Sequence, residues 1–288
     1  MLRNDIRYGY RGIVRSVIIF AIMLAVAVVI NTSLQGAMGQ IEEWVTEWPV
    51  ELLALCGVTK LGVKSLNITP FYMAVIIINI VAMCRCASVA VDSMVEDMEN
   101  GRIKQYINQP FNRGEIYWMK LVVAVFTAIV HWTIYFFMLS LATTMVCRII
   151  DMPKSYELAD MRHIFIDGMI YVVVLFCICL LYCMHNRRSM TNGSFLTLVC
   201  SASFFIGNMY KIFDLVGYYM RRLQIDDKTI ALLSERTERL RFVFPFTLLN
   251  PLNSEKHPLP ENIDIFYIFV IVGIFILCRY IFGKKDFS

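Results

Sequence analysis

Four histidines, His131, His163, His185 and His257, stand in separate segments of the chain. No His-Glu-x-x-His, Gly-x-Ser-x-Gly or Cys-x-x-Cys pattern joins them to a metal or to a nucleophile. The nine cysteines fall mostly inside apolar runs. Cys84/Cys86 and Cys177/Cys179 are two apart, so each pair points to different helix faces and reads as packing. Only Cys56 and Cys147 could meet outside a membrane as a disulfide, and spacing does not fix connectivity. Gly57-Val-Thr-Lys-Leu-Gly62-Val-Lys64-Ser65 comes near a phosphate loop, but one residue is inserted before Lys64. No catalytic set remains, so the chain is not expected to be an enzyme. The stretch richest in interacting groups is instead Asp92 to Lys120, where acids, arginines and a proline crowd between two apolar runs.

Those runs dominate the chain. Its 288 residues are 58% hydrophobic and 17% charged, with mean hydropathy +0.61. Soluble domains carry about 25% charge, and a helix needs about 20 apolar residues to cross a bilayer. Six runs qualify, at 16–34, 70–91, 116–146, 165–184, 193–216 and 263–282. The expected fold is all-α: one polytopic membrane domain, residues 1–288, of six transmembrane helices. Arg3, Arg7, Arg11 and Arg15 recur every four residues. They predict a basic amphipathic helix over 1–16, lying on the cytoplasmic leaflet. Ile41, Trp44, Val45 and Trp48 face away from Glu42, Glu43 and Glu47, as in a helix at the interface or one docked on the bundle. The arginines of 1–16, the basic cluster of 102–120, Arg187/Arg188 and Lys284/Lys285 fall on one side if there are six spans. That places the protein in the plasma membrane with both termini cytoplasmic. The net charge of +4 is mild, and no aromatic-interleaved basic stripe points to nucleic acid.

The inner loop 92–115 has a local logic. Gly101 breaks the incoming helix, and Arg102–Asn108 has room for two turns before Pro110. Asn112 followed by Glu115 predicts a capping box opening the third span. A short charged helix is thus framed below the membrane. This stretch resembles the signature of the type-2 permeases of ABC transporters: acidic-x-Gly-Thr, a short apolar helix, Pro, a small polar residue, Arg, then Lys in the next span. Glu99, Gly101, Ile103, Ile107, Pro110, Arg113 and Lys120 match in order. Arg102 replaces Thr, Tyr106 a usual Leu, Asn112 a Ser and Met119 a usual Gly. The resemblance implies a membrane subunit of an ABC exporter, with ATP and Mg bound in a separate ATPase chain and no cofactor of its own. It implies that this loop docks on the ATPase, so Glu96, Asp97, Glu99, Gly101, Arg102, Lys104, Gln105, Tyr106, Pro110 and Arg113 are the coupling candidates. It also implies that two permeases, alike or related, pair with two ATPases.

Segment 217–262 carries an outer-gate expectation on the same resemblance. Phe244, Pro245, Phe246 and Pro251 would form a re-entrant turn closing the exit, and Thr229–Leu240 patterns as a surface helix. Inside the spans, Arg85 either snorkels to the headgroups or lines a cargo path. His131, near mid-span, either packs by a hydrogen bond or touches cargo. Lys211 and Asp214, three apart, predict a local salt bridge. Apolar spans rich in Met and Phe suit a lipophilic or amphipathic cargo: a drug, a lipid-linked molecule or an amphipathic peptide. The alternative is a stand-alone secondary transporter or channel, which would need no ATPase.

Overall fold

The computed structural model describes residues 2–35, 69–99, 112–151, 162–186, 194–225, 228–238, 240 and 263–284. Every element among them is an α-helix: α1 (Leu2–Leu34), α2 (Thr69–Glu99), α3 (Arg113–Ile149), α4 (Arg162–Asn186), α5 (Ser194–Gly207), α6 (Met209–Arg222), α7 (Lys228–Glu238) and α8 (Ile263–Lys284). Four are long and apolar enough to cross a membrane: α1 from Gly9, α2 over Ala74–Val95, α3 entire and α8 from Ile265. α4 adds a shorter apolar stretch, Gly168–Met184. The described residues are therefore all helical, and the long apolar helices mark a membrane-embedded protein.

Contacts fix how the helices run. Gly12 lies against Val89, and the Asn31 side chain meets the start of α2 at Phe71, so α1 and α2 are antiparallel. Gly9 touches Thr127, while Phe20 stacks on His131 and Tyr135, so α1 and α3 run the same way. Trp132 rests on Gly168 and Phe136 on Phe165, which makes α4 antiparallel to α3. Tyr171 with Tyr267, and Phe176 with Phe275, set α8 parallel to α4. The start of α3 and the ends of α2, α4 and α8 thus share one end of the bundle.

α2 is central: 61% of its apolar window is buried, against 22% for α1 and 17% for α8. α1 and α8 instead turn large side chains outward, such as Ile22, Val29, Phe269 and Ile276. In water such faces would be an aggregation-prone apolar patch; in a bilayer they are ordinary solvent contact. Several serine and threonine hydroxyls of these helices are satisfied within their own helix. Thr127 donates to the Val123 carbonyl at 2.8 Å, Thr143 to Leu139 at 2.9 Å and Ser16 to Gly12 at 3.0 Å. Backbone and side-chain polar groups need internal partners where no water is present.

Residues 2–16 are the opening turns of α1 rather than a separate element: the helix runs unbroken from Leu2 into the apolar stretch, with Gly9 and Gly12 seated against α3 and α2. No proline interrupts residues 2–34, and close packing at these glycines holds the first turns on the bundle. The fifth span, 193–216, is not continuous. It breaks at Asn208, whose backbone leaves the helix (φ −99°, ψ 5°) and whose carbonyl accepts from Lys211 N–H at 3.0 Å, starting α6. Gly207 before it supplies the weak point. α6 then runs on to Arg222, past residue 217.

Candidate functional site

α3 is opened as the sequence predicts. The Glu115 carboxylate accepts the Asn112 N–H at 3.1 Å, and the reciprocal contact completes the capping box. This fixes the first turn of α3, where Arg113 is exposed and donates through Nη1 to the Gly283 carbonyl at 3.4 Å. A cation at the last carbonyls of α8 is favourable, because those groups lack helical partners and carry partial negative charge. One turn deeper, the Tyr117 hydroxyl donates to the Phe275 carbonyl at 2.9 Å, and the Arg279 guanidinium lies 5.9 Å from the Trp118 ring centre. Lys120 follows, buried at the second turn.

Of the coupling candidates, Arg113 has this defined place. Glu96, Asp97 and Glu99 belong to the last turns of α2. Gly101, Arg102, Lys104, Gln105, Tyr106 and Pro110 lie outside the described residues, as do the gate candidates Phe244, Pro245, Phe246 and Pro251 and the loop cysteine Cys56.

Higher in the bundle, α1, α2 and α3 enclose polar groups. Tyr135 is fully buried and donates its hydroxyl to Asn79 Oδ1 at 2.5 Å, joining α3 to α2. Asn31, also fully buried, accepts the Phe71 N–H at 3.2 Å. Phe71 stands in the first turn of α2, so a side chain of α1 satisfies one of the orphan donors of that helix start. Pro70 beside it lacks an N–H and needs none.

His131 lies one turn before Tyr135. It is fully buried with its ring centre 5.6 Å from that of Phe20, and neither ring nitrogen has a hydrogen-bond partner among the described residues. Arg85 on α2 is exposed. Of the two cargo-path candidates, His131 is thus inside the bundle and Arg85 on its surface. A buried imidazole with both nitrogens open can take a hydrogen bond from, or give one to, a small polar guest or water.

Sequence reasoning missed Asn31, Asn79 and Tyr135. Asn79 had a usable signal: an amide inside the run Ile76-Ile-Ile-Asn79-Ile80 has to find a partner in the membrane. Asn31 had none, because its partner is a backbone group 40 residues away. Lys211 and Asp214 turn out to sit at a helix pair: Asp214 accepts the Ser234 hydroxyl of α7 at 2.5 Å. Among the described residues no group of His, Cys, Asp and Glu is arranged to hold a metal ion. Compared with known proteins, the chain matches no family model, no curated protein and no solved structure.

Proposed function

We propose that this chain is the membrane-spanning subunit of an ATP-driven ABC exporter, crossing the plasma membrane six times with both termini in the cytoplasm. A separate ATPase chain powers it, a second permease completes it, and its cargo is lipophilic or amphipathic. The joint between α2 and α3 carries the reading. The motif from Glu99 to Lys120 joins the end of a central, buried helix to the capped start of a long one. A partner pushing on that joint would move both helices, and through Arg113 and Tyr117 also α8. The basic flanks of the spans and the shared end of α2, α3, α4 and α8 support the sidedness.

Single cysteines at 102–108, cross-linked to a copurified ATPase, test this. Cross-links at one face of that stretch, with a cytoplasmic reporter signal after Ser288, are the expected result. Absence of any cross-link in a transporter that works would overturn it. One observation favours the second reading, a secondary transporter: buried His131 with open ring nitrogens is the kind of intramembrane ionisable group that relays protons. Uptake or efflux driven by a proton gradient in vesicles without ATP, and lost in His131→Gln, would select it.

A further inference from the structure

α6 and α7 form a helical hairpin with a partly polar seam and an exposed apolar stripe. Lys211 and Gly217 of α6 and Ser234 of α7 are buried. The Ser234 hydroxyl donates to Asp214 at 2.5 Å and lies 3.2 Å from the Tyr210 carbonyl. Hydrophilic groups thus form part of the seam. Met209, Ile212, Val216, Tyr219 and Leu223 are exposed instead. Their spacing of three and four residues puts them on one stripe, on the side of α6 opposite to Tyr210, Asp214 and Gly217. Asp214, Arg221, Arg222, Lys228, Glu235 and Arg236 are exposed too, so the hairpin is amphipathic, with one apolar stripe and charges around it.

The turn is built to hold this arrangement. Gln224 adopts φ 59°, its N–H donates to the Arg221 carbonyl at 3.0 Å, and the Ile225 N–H reaches back to Met220 at 2.9 Å. This is the Schellman closure of a helix end. It leaves Ile225 exposed beside Leu223, extending the apolar stripe to the hairpin tip.

We propose that the α6–α7 hairpin lies in the headgroup layer of the bilayer, with the α6 stripe sunk among the acyl chains. Four observations choose lipid as the occupant. The preceding helix α5 also turns large apolar side chains outward, at Leu198 and Phe205. α5 ends at Gly207 and passes through Asn208 directly into α6, so the hairpin begins where an apolar helix ends. Residues 209–238 carry five basic and five acidic side chains, a net charge of zero. That balance matches a zwitterionic phosphate-and-amine layer and gives no preference for anionic lipid. Tyr218 and Tyr219, packed edge to face at 5.3 Å, sit where an interfacial aromatic belt belongs.

The test uses the full chain in vesicles of phosphatidylcholine, with and without one part phosphatidylglycerol. A diazirine on the lipid acyl chain should label Ile212, Val216 and Tyr219 several-fold more than Lys211, Asp214 and Glu235, equally in both vesicle types. Val216→Glu should abolish labelling of α6 while labelling of α8 persists, which shows that the bundle still folds. Oxidation of the wild-type stripe by aqueous hydroxyl radicals, without acyl-chain adducts, would overturn the proposal. So would labelling confined to the anionic vesicles. Protection that rises with protein density, with cross-links between copies through Val216→Cys, would assign the face to a second copy and equally overturn it.

Discussion

The Tyr135 hydroxyl reaches Asn79 Oδ1 at 2.5 Å across the contact between the two most buried spans. In hydrocarbon an interhelical hydrogen bond contributes about 0.6 kcal/mol on average, and up to about 1.7. Both partners here are nearly inaccessible, so the upper part of that range applies. Tyr135→Phe and Asn79→Leu should each lower the thermal midpoint in detergent. The double variant should lose less than the two added together, since neither orphan remains. Strict additivity of the three midpoints would show that the bond contributes nothing.

Gly168 admits no side chain. A Cβ there would come within 2.1 Å of Trp132 Cζ2, and Trp132 is itself held by a 3.1 Å bond from Nε1 to the Phe165 carbonyl. Gly168→Ala should destabilise by about 1–3 kcal/mol, as overpacking does. Gly273, with nothing within 4 Å, is the control. Gly273→Ala should be neutral or stabilise α8 by up to about 1 kcal/mol through helix propensity. Equal midpoints for the two variants would contradict the α3–α4 packing described above.

Gln224 holds a left-handed backbone that suits glycine better. An L-residue there costs roughly 1–2 kcal/mol. Gln224→Gly should stabilise the α6–α7 hairpin by about half of that, because glycine also frees the unfolded chain. Amide exchange within 209–238 should slow, while exchange in α2 stays as it was. Faster exchange in the variant would mean that the turn is formed differently.

Arg113 separates a structural from a coupling role. Its contact with the end of α8 is long and exposed, worth about 0.3–1 kcal/mol at most. Arg113→Ala should therefore barely move the midpoint, yet in the permease reading it should sharply reduce cargo-stimulated ATP hydrolysis. Arg113→Lys should keep the stability and lose part of the stimulation, since a lysine cannot reproduce the planar fork. Parallel loss of stability and stimulation would reduce Arg113 to a helix cap.

What could be read from the sequence was local. The capping box of Asn112 and Glu115 is a four-residue signal with its own energetics, and it appears where expected. Apolar runs gave the helices, because length and hydropathy suffice to mark them. The break at Asn208 was visible as a Gly-Asn pair, yet the apolar residues on both sides outweighed it. The seating of Gly12 on Val89, the Asn31 cap and the pairing of α6 with α7 were not legible. Each depends on which helices become neighbours, and no local pattern encodes that.

The outward stripe of α3 runs from Trp118 through Val122, Phe126, Phe137, Leu141 and Met145 to Ile149. At 1.5 Å per residue it is about 46 Å long, against about 30 Å of hydrocarbon. A helix so long must lean or push its ends out, and the angle depends on bilayer thickness. α1 rests on its middle, from Thr127 to Tyr135, and α8 on its first turns, from Arg113 to Trp118. Any change in lean therefore swings two lipid-facing helices about one shared axle. Lipid chain length would then be a mechanical input to this bundle, one that needs no ligand.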